Sequence, residues 1–453
     1  MSKNYNDIQK LQDKHLEELF KYLRMPSLSS ENLGIEEMAK SVKELMEEIG
    51  FKVQELRVGE SYPYIFGELG SGDVTLLIYN HYDVQPAGDE KLWESKPFEP
   101  EVRDGHIYAR GVADNKGNLL MRLQAIRYYL ENYGDLPIRI IYLVEGEEEI
   151  GSPNLDALAK AYGHLWKDAD LCIWETGGVN EEGSPHTELG MKGVTYLELH
   201  SKLGDHDLHS GEASMFESPV WRLVQALNTL RSPEGKVLID GIREQIKPPA
   251  ERELQMIKDQ MFDLQETLRS EGRDSFLNNE KDKDNILKFH YFEPTCNICG
   301  IWGGFMEPGG IKTIIPMEAT AKIDLRLVAD LDASQIAGMI RAHLDKRGFT
   351  DIEVKELIAL PVGKTDVNNR FLERSHMLLE EAYGVKPDVT VTSGGSGPFY
   401  YIASQFNIPV FHIGALYPAN RSHAPNENIR VKDYQKGLSA MLHIIDGLGD
   451  TSA

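Results

Sequence analysis

The sequence predicts an α/β protein: a mixed, largely parallel sheet with helices on both faces, interrupted by an inserted two-layer α/β lid. Three observations carry this. Apolar, strand-like runs in the first half alternate with helical stretches, which implies parallel strands buried on both faces. The pattern changes from about Val194 onward. At 453 residues the chain also exceeds the roughly 100–200 residues of one domain.

Residues 35–50 read as an amphipathic helix, with Met38, Val42, Leu45, Met46 and Ile49 at helical spacing and Gly50 as its stop. Strands are expected at residues 74–80, 138–144 and 171–174, with a helix over 119–132. The lid reads as a strand at 194–203, a helix at 219–230, strands around a turn at 311–328 and a helix at 334–348. Residues 242–288 are charged and largely helical, with Pro248-Pro249 as a break. They read as an insertion or a dimer arm, an exposed solvated helix being favoured. A further strand is expected at 408–416. The catalytic domain is therefore discontinuous, residues 1–191 and 363–453, with the lid at 192–362.

Composition narrows the function. Hydrophobic residues make up 41% of the chain, enough for sizeable cores. Basic residues number 48 against 72 acidic, a formal net charge of −24. That balance argues against nucleic acid or an anionic membrane as partner, since both reward clustered Lys and Arg. No run approaches the roughly 18 apolar residues of a membrane span. Residues 1–6 lack the apolar core of a signal peptide. Three cysteines cannot form a secreted-type framework. Together these point to the cytoplasm. Cys296 and Cys299 form a Cys-x-x-Cys, a pattern of redox chemistry, half a zinc site, or two small side chains along a strand. The last is favoured, because only Cys172 remains to complete a zinc site.

Chemistry gathers behind the apolar runs. His81 and Asp83 follow the first of them. A neutral imidazole binds a divalent ion through one nitrogen, and a carboxylate can hold the other. Asp114 lies in Gly111-Val112-Ala113-Asp114-Asn115-Lys116-Gly117, and Glu148 and Glu149 in Glu145-Gly146-Glu147-Glu148-Glu149-Ile150-Gly151-Ser152. Glu175 closes Leu171-Cys172-Ile173-Trp174-Glu175, and His423 lies in Arg421-Ser422-His423-Ala424-Pro425-Asn426. Ligands of open α/β sheets bind beyond the carboxyl ends of strands, so these groups can converge. Imidazole and carboxylate suit zinc, manganese or cobalt. Asp114, Glu149 and Glu175 carry three negative charges; a bridging hydroxide adds a fourth, which two divalent cations balance. Alone, Glu147–Glu149 would read as a solvated helix start; the preceding strand and Gly151 favour a site. Gly394-Gly395 lacks the Lys-Ser/Thr that a phosphate loop would need.

In this order, from about Ile35 onward, the motifs resemble those of the M20 family of dinuclear zinc peptidases and deacylases. Asp207-Leu208-His209-Ser210-Gly211, Lys312-Thr313-Ile314-Ile315-Pro316 and Asp324-Leu325-Arg326-Leu327-Val328 resemble its cytosolic non-specific dipeptidase and carnosine dipeptidase branch. The resemblance implies that Asp114 bridges two ions, that His81 and Glu175 hold one, and that Glu149 and His423 hold the other. It makes Glu148 the general base for a metal-bound hydroxide and Asp83 the group that orients His81. It also implies a cis peptide at Asp114-Asn115. His209 would stabilise the oxyanion in the partner subunit's site of a homodimer. Arg326 would clamp the substrate's free carboxylate, with Thr313, Gly395 and Ser396 adding contacts.

Two features depart from the dipeptidase branch. Glu175 stands where Asp is usual, and residues 364–370 lack a further substrate-contacting His. Both bear on dipeptide preference, not on metal binding. The expected function is a dinuclear-metal hydrolase, zinc first, that cleaves the amide bond of dipeptides or similar small substrates. The alternatives are an N-acyl-amino-acid deacylase or carboxypeptidase with the same centre, and a non-catalytic, metal-stabilised binding protein.

Overall fold

A computed structural model describes residues 5–449, and they divide into two compact units. The first comprises the described residues through Leu189, Thr365–Thr390 and those from Pro398 onward. Its six-stranded sheet runs in the order Lys52–Leu56, Tyr64–Leu69, Arg139–Glu145, Thr75–His81, Leu171–Trp174, Val410–His412. The last four strands are parallel and the first two antiparallel. Every residue of Thr75–His81 and of Leu171–Trp174 is buried, as expected of strands covered on both faces. The helix Ile35–Ile49 turns Met38, Val42, Leu45, Met46 and Ile49 inward and ends at Gly50 in the left-handed conformation.

Two expectations change. Only Val410–His412 of residues 408–416 pairs in the sheet. The chain leaves the ladder at Gly414, where a Cβ would stand 2.1 Å from the Gly177 carbonyl oxygen. Residues 242–288 are not one solvated helix. They form Ile242–Gln245, Glu251–Asp259 and Leu264–Ser270 and run into Lys283–Phe292. Ile257, Leu287 and Tyr291 pack there with Val391 in a small core of their own.

The second unit is Gly190–Lys364 with Val391–Gly397. Its antiparallel sheet runs Thr295–Trp302, Glu318–Leu327, Gly193–Lys202, Ile352–Leu360. Helices Pro219–Leu227 and Ala333–Lys346 pack against it. Along Glu318–Leu327 burial alternates at every residue. Ala319, Ala321, Ile323, Leu325 and Leu327 join the core, so Asp324 and Arg326 share the other face. Cys296 and Cys299 both lie on the strand Thr295–Trp302, the first buried and the second exposed. Among the described residues, no helix is long and apolar enough to cross a membrane.

One side chain ties the carboxyl ends of three parallel strands together. Arg122, on the helix Lys116–Tyr133, is completely buried. Its Nη1 donates to the Tyr79 carbonyl at 3.2 Å and to Asn80 Oδ1 at 2.8 Å. Its Nη2 is shared among the carbonyls of Trp174, Glu175, Thr176 and Ile413 at 2.6–3.0 Å. Burial pushes its pKa down to about 10, which leaves it charged at neutral pH. Arg122→Met keeps much of the volume but strands these acceptors. We expect a loss of at least about 3 kcal/mol in urea unfolding, since buried groups left unpaired cost about 1–3 kcal/mol each. An unchanged midpoint would contradict that role.

Candidate metal centre

The candidate centre lies within the first unit, at the carboxyl ends of its adjacent parallel strands. His81 is the last residue of Thr75–His81. Glu148 and Glu149 open a short 3-10 turn three residues past Arg139–Glu145. Glu175 follows Leu171–Trp174 directly. Asp114 precedes the helix Lys116–Tyr133, and the Asp114–Asn115 peptide is cis. His423 lies in the loop before Asn428–Arg430. Three non-glycine residues of that loop, Arg421, His423 and Asn426, hold φ of 57°, 62° and 62°. Such left-handed backbone is uncommon without glycine and is held by its surroundings.

The five expected ligands come together in two sets. His81 Nε2 is 2.9 Å from Asp114 Oδ1 and 2.8 Å from Glu175 Oε2. His423 Nε2 is 3.0 Å from Asp114 Oδ2 and 3.1 Å from Glu149 Oε2. Asp114 thus turns one oxygen to each imidazole. Ligand atoms of His81, Asp114 and Glu149 all lie within 4.8 Å of one another. Within each set the donors are close enough for bonds of about 2.0–2.2 Å to one ion.

Unpaired polar atoms support the same reading. Buried Glu149 Oε1 has no hydrogen-bond partner among the described residues. Glu175 Oε2 faces His81 Nε2 closely but without hydrogen-bond geometry. A cation would satisfy both, and the hard-oxygen and imidazole donor set fits a divalent one. Around His81, Nδ1 faces the Asp83 carbonyl at 3.1 Å and its Oδ1 at 3.3 Å. The proton therefore belongs on Nδ1, which leaves the Nε2 lone pair pointing into the cluster.

The electrostatics are severe. Burial pushes the Glu148 carboxyl well above its usual range, and nearby Glu175 adds to this. Burial likewise raises Glu175. Burial alone would lower His81, but Glu175, Asp114 and Asp83 outweigh it and hold the imidazole well up. Hydrogen bonds to Asp114 and Glu149 raise His423 to about 10. In Asp114 burial is overcome by His423 and His81, and its carboxyl falls below the usual range.

The supporting shell was only partly foreseen. Asp83 is fully buried, and its carboxylate accepts the backbone N–H of Glu149 at 3.0 Å and of Glu148 at 3.3 Å. Glu427, unforeseen, is also fully buried. It accepts the N–H groups of Gly111, Ala113 and Asp114 at 2.8–3.1 Å and pairs with Arg110 Nη1 at 2.5 Å. It thereby joins the Asp114 loop to the segment carrying His423. The side-chain amides of Asn115 and Asn118 both donate to the Glu175 carbonyl at 3.0 Å. Only the nearness of Glu427 to His423 in sequence hinted at this.

The remaining expected residues belong to the second unit. His209 is exposed, and its Nδ1 accepts from Gly211 N–H at 3.0 Å. Leu208–His209 pairs with Ile314–Ile315, and the Thr313 carbonyl accepts from Ser210 N–H at 3.1 Å. Arg326 Nη1 donates to Ser396 Oγ at 2.8 Å, and Gly395 N–H donates to Ser393 Oγ at 3.2 Å. We predict that Glu427→Gln weakens metal retention about 10–100-fold, the usual scale for partners of ligand loops. Competition with a chelator of known affinity measures this, and wild-type retention would exclude a positioning role.

Comparison with known proteins now has a site to refer to. Residues 77–447 match the protein family described as "Peptidase family M20/M25/M40". Beta-Ala-His dipeptidase of Mus musculus is 29% identical over 86% of this chain and 82% of its own length. A Cys-Gly metallodipeptidase of Saccharomyces cerevisiae is 28% identical over 96% of each. The crystal structure of an M20 family metallo-carboxypeptidase from Sulfolobus solfataricus superposes with a TM-score of 0.88 at 33% identity, covering 96% of this chain and 99% of that one. The chain belongs to the M20/M25/M40 peptidase family.

Proposed function

We propose that this enzyme hydrolyses the amide bond of dipeptides or similar small substrates with a free carboxylate, in the cytoplasm, as a homodimer. One observation carries the reading: the two oxygens of Asp114 face two different imidazoles, each set completed by a second carboxylate. His81, Asp114 and Glu175 would hold one divalent ion, and Asp114, Glu149 and His423 a second, with zinc first and manganese or cobalt as alternatives. When bound, such ions supply Lewis acidity and an acidified water.

The rest is assigned to this chain's own residues. Glu148 takes the proton of the attacking water and passes it to the leaving amine; burial holds its carboxyl above the usual range. Asp83 holds the Glu148–Glu149 turn by its backbone and fixes His81 at Nδ1. Arg326, backed by Ser396 and neighbouring Gly395, receives the free carboxylate. His209, next to Thr313, donates to the oxyanion in the partner subunit's site. A purely structural metal site gives no reason for a part-buried carboxylate such as Glu148 beside its ligands.

A second reading has its own support. Glu175 stands where the dipeptidase branch usually has Asp, and the likeness to a metallo-carboxypeptidase is at 33% identity. A panel of dipeptides, longer peptides, and N-acetyl and N-succinyl amino acids separates the two. The dipeptidase reading expects the highest kcat/KM on dipeptides; preference for longer peptides or acyl amino acids moves the assignment to carboxypeptidase or deacylase.

Glu148→Gln should keep its metal and lose about 10²–10⁴-fold in kcat. Near-normal turnover by the metal-loaded variant removes Glu148 from this role. Mixing it with His209→Ala chains should restore activity, up to about half per mixed dimer, because one site then has both intact groups. If subunit exchange is demonstrated and no activity returns, His209 does not act across the interface.

A further inference from the structure

On the open face of the second unit's sheet, Arg326 is not left to find its own orientation. Its side chain is 38% exposed, and an unrestrained guanidinium there would sample many rotamers. Two of its three nitrogens are instead engaged by the protein. Nη1 donates to Ser396 Oγ at 2.8 Å, and Nε lies 3.5 Å from Asp324 Oδ2. Asp324 reaches it because residues two apart on a strand share a face.

Asp324 is itself held from the neighbouring strand. Its Oδ1 accepts from Asn297 Nδ2 and from the Cys299 thiol, both at 3.1 Å. Asn297 lies directly opposite Asp324 in the ladder. The irregularity between Ile298 and Gly300 falls at Cys299, whose thiol reaches this same carboxylate. One carboxylate oxygen is thus spent on the neighbouring strand, and the other points at the guanidinium.

We propose that Asp324 is a positioning residue for substrate specificity: anchored by Asn297 and Cys299, it fixes the plane of Arg326 so that the Nη2 edge presents a preset fork to the substrate's carboxylate. The inference rests on the reading of Arg326 given under Proposed function. The sign of the effect makes it testable. As a charge alone, Asp324 repels an anionic substrate, so removing it would tighten carboxylate binding. As a positioning group it does the opposite, because a fork aimed in advance loses less entropy on binding.

The experiment compares a dipeptide with its C-terminal amide and reads the ratio of their kcat/KM values. Arg326→Ala should collapse the ratio. Asp324→Ala should lower it about threefold to fivefold, the scale of an exposed ion pair, mainly through KM for the free dipeptide. Asp324→Asn keeps an acceptor oxygen and should recover part of the loss. In the Arg326→Ala background Asp324→Ala should change nothing more, which a general defect of the sheet would not reproduce. If Asp324→Ala does not fold, Asn297→Ala, at an exposed position, should lower the ratio in the same direction. A ratio that rises or stays level in Asp324→Ala, or an additive double variant, overturns the positioning role while leaving Arg326 in place. A ratio unmoved by Arg326→Ala overturns the reading of Arg326 and this inference with it.

Discussion

The constraint on which the first unit depends is the crowding of carboxylates at the ends of its parallel strands. Asp83 and Glu175, both buried, and the part-buried Asp114, Glu148 and Glu149 gather around His81 and His423. A buried carboxylate is costly unless it is paired. Neighbouring carboxylates hold His81 and His423 above the usual imidazole range, and burial raises Glu148. Divalent ions held by these residues would relieve the same repulsion. Folding, metal affinity and the basicity of Glu148 are therefore one electrostatic problem.

The scaffold answers that problem with backbone hydrogen bonds as well as charge. Arg122 gathers carbonyls where three neighbouring strands end, and Asn115 and Asn118 fasten the Glu175 carbonyl. Glu427 does the same for backbone N–H groups in the Asp114 loop. The ligand loops are thus fixed by groups outside the ligand set. In the second unit a comparable device acts on a side chain, where Asp324 and Ser396 engage Arg326 from two sides.

Much of this was legible in the sequence. The apolar runs 74–80, 138–144 and 171–174 marked parallel strands, which pair side by side, and the acidic or His residues behind them pointed to a site. Helical spacing located Ile35–Ile49 to within a residue. Family membership and the dipeptidase relatives agree with the motif order. Glu427 and Arg122 were scarcely legible, because most of their partners are backbone atoms distant in sequence. The left-handed backbone at His423 was equally hidden, since nothing in Arg421-Ser422-His423 announces it. Residues 242–288 misled for another reason. Their charge suggests full solvation, but Ile257 and Leu287 find a core only when Val391 arrives from far along the chain.

The central claim is that Asp114 serves two cations at once. Metal content per chain, determined by mass spectrometry after dialysis against metal-free buffer, tests it most directly when the intact protein is set beside Asp114→Asn. The account predicts about two ions per intact chain and the loss of both in the variant, because each set shares that one carboxylate. A single tightly held ion, or two ions that survive Asp114→Asn, would contradict it.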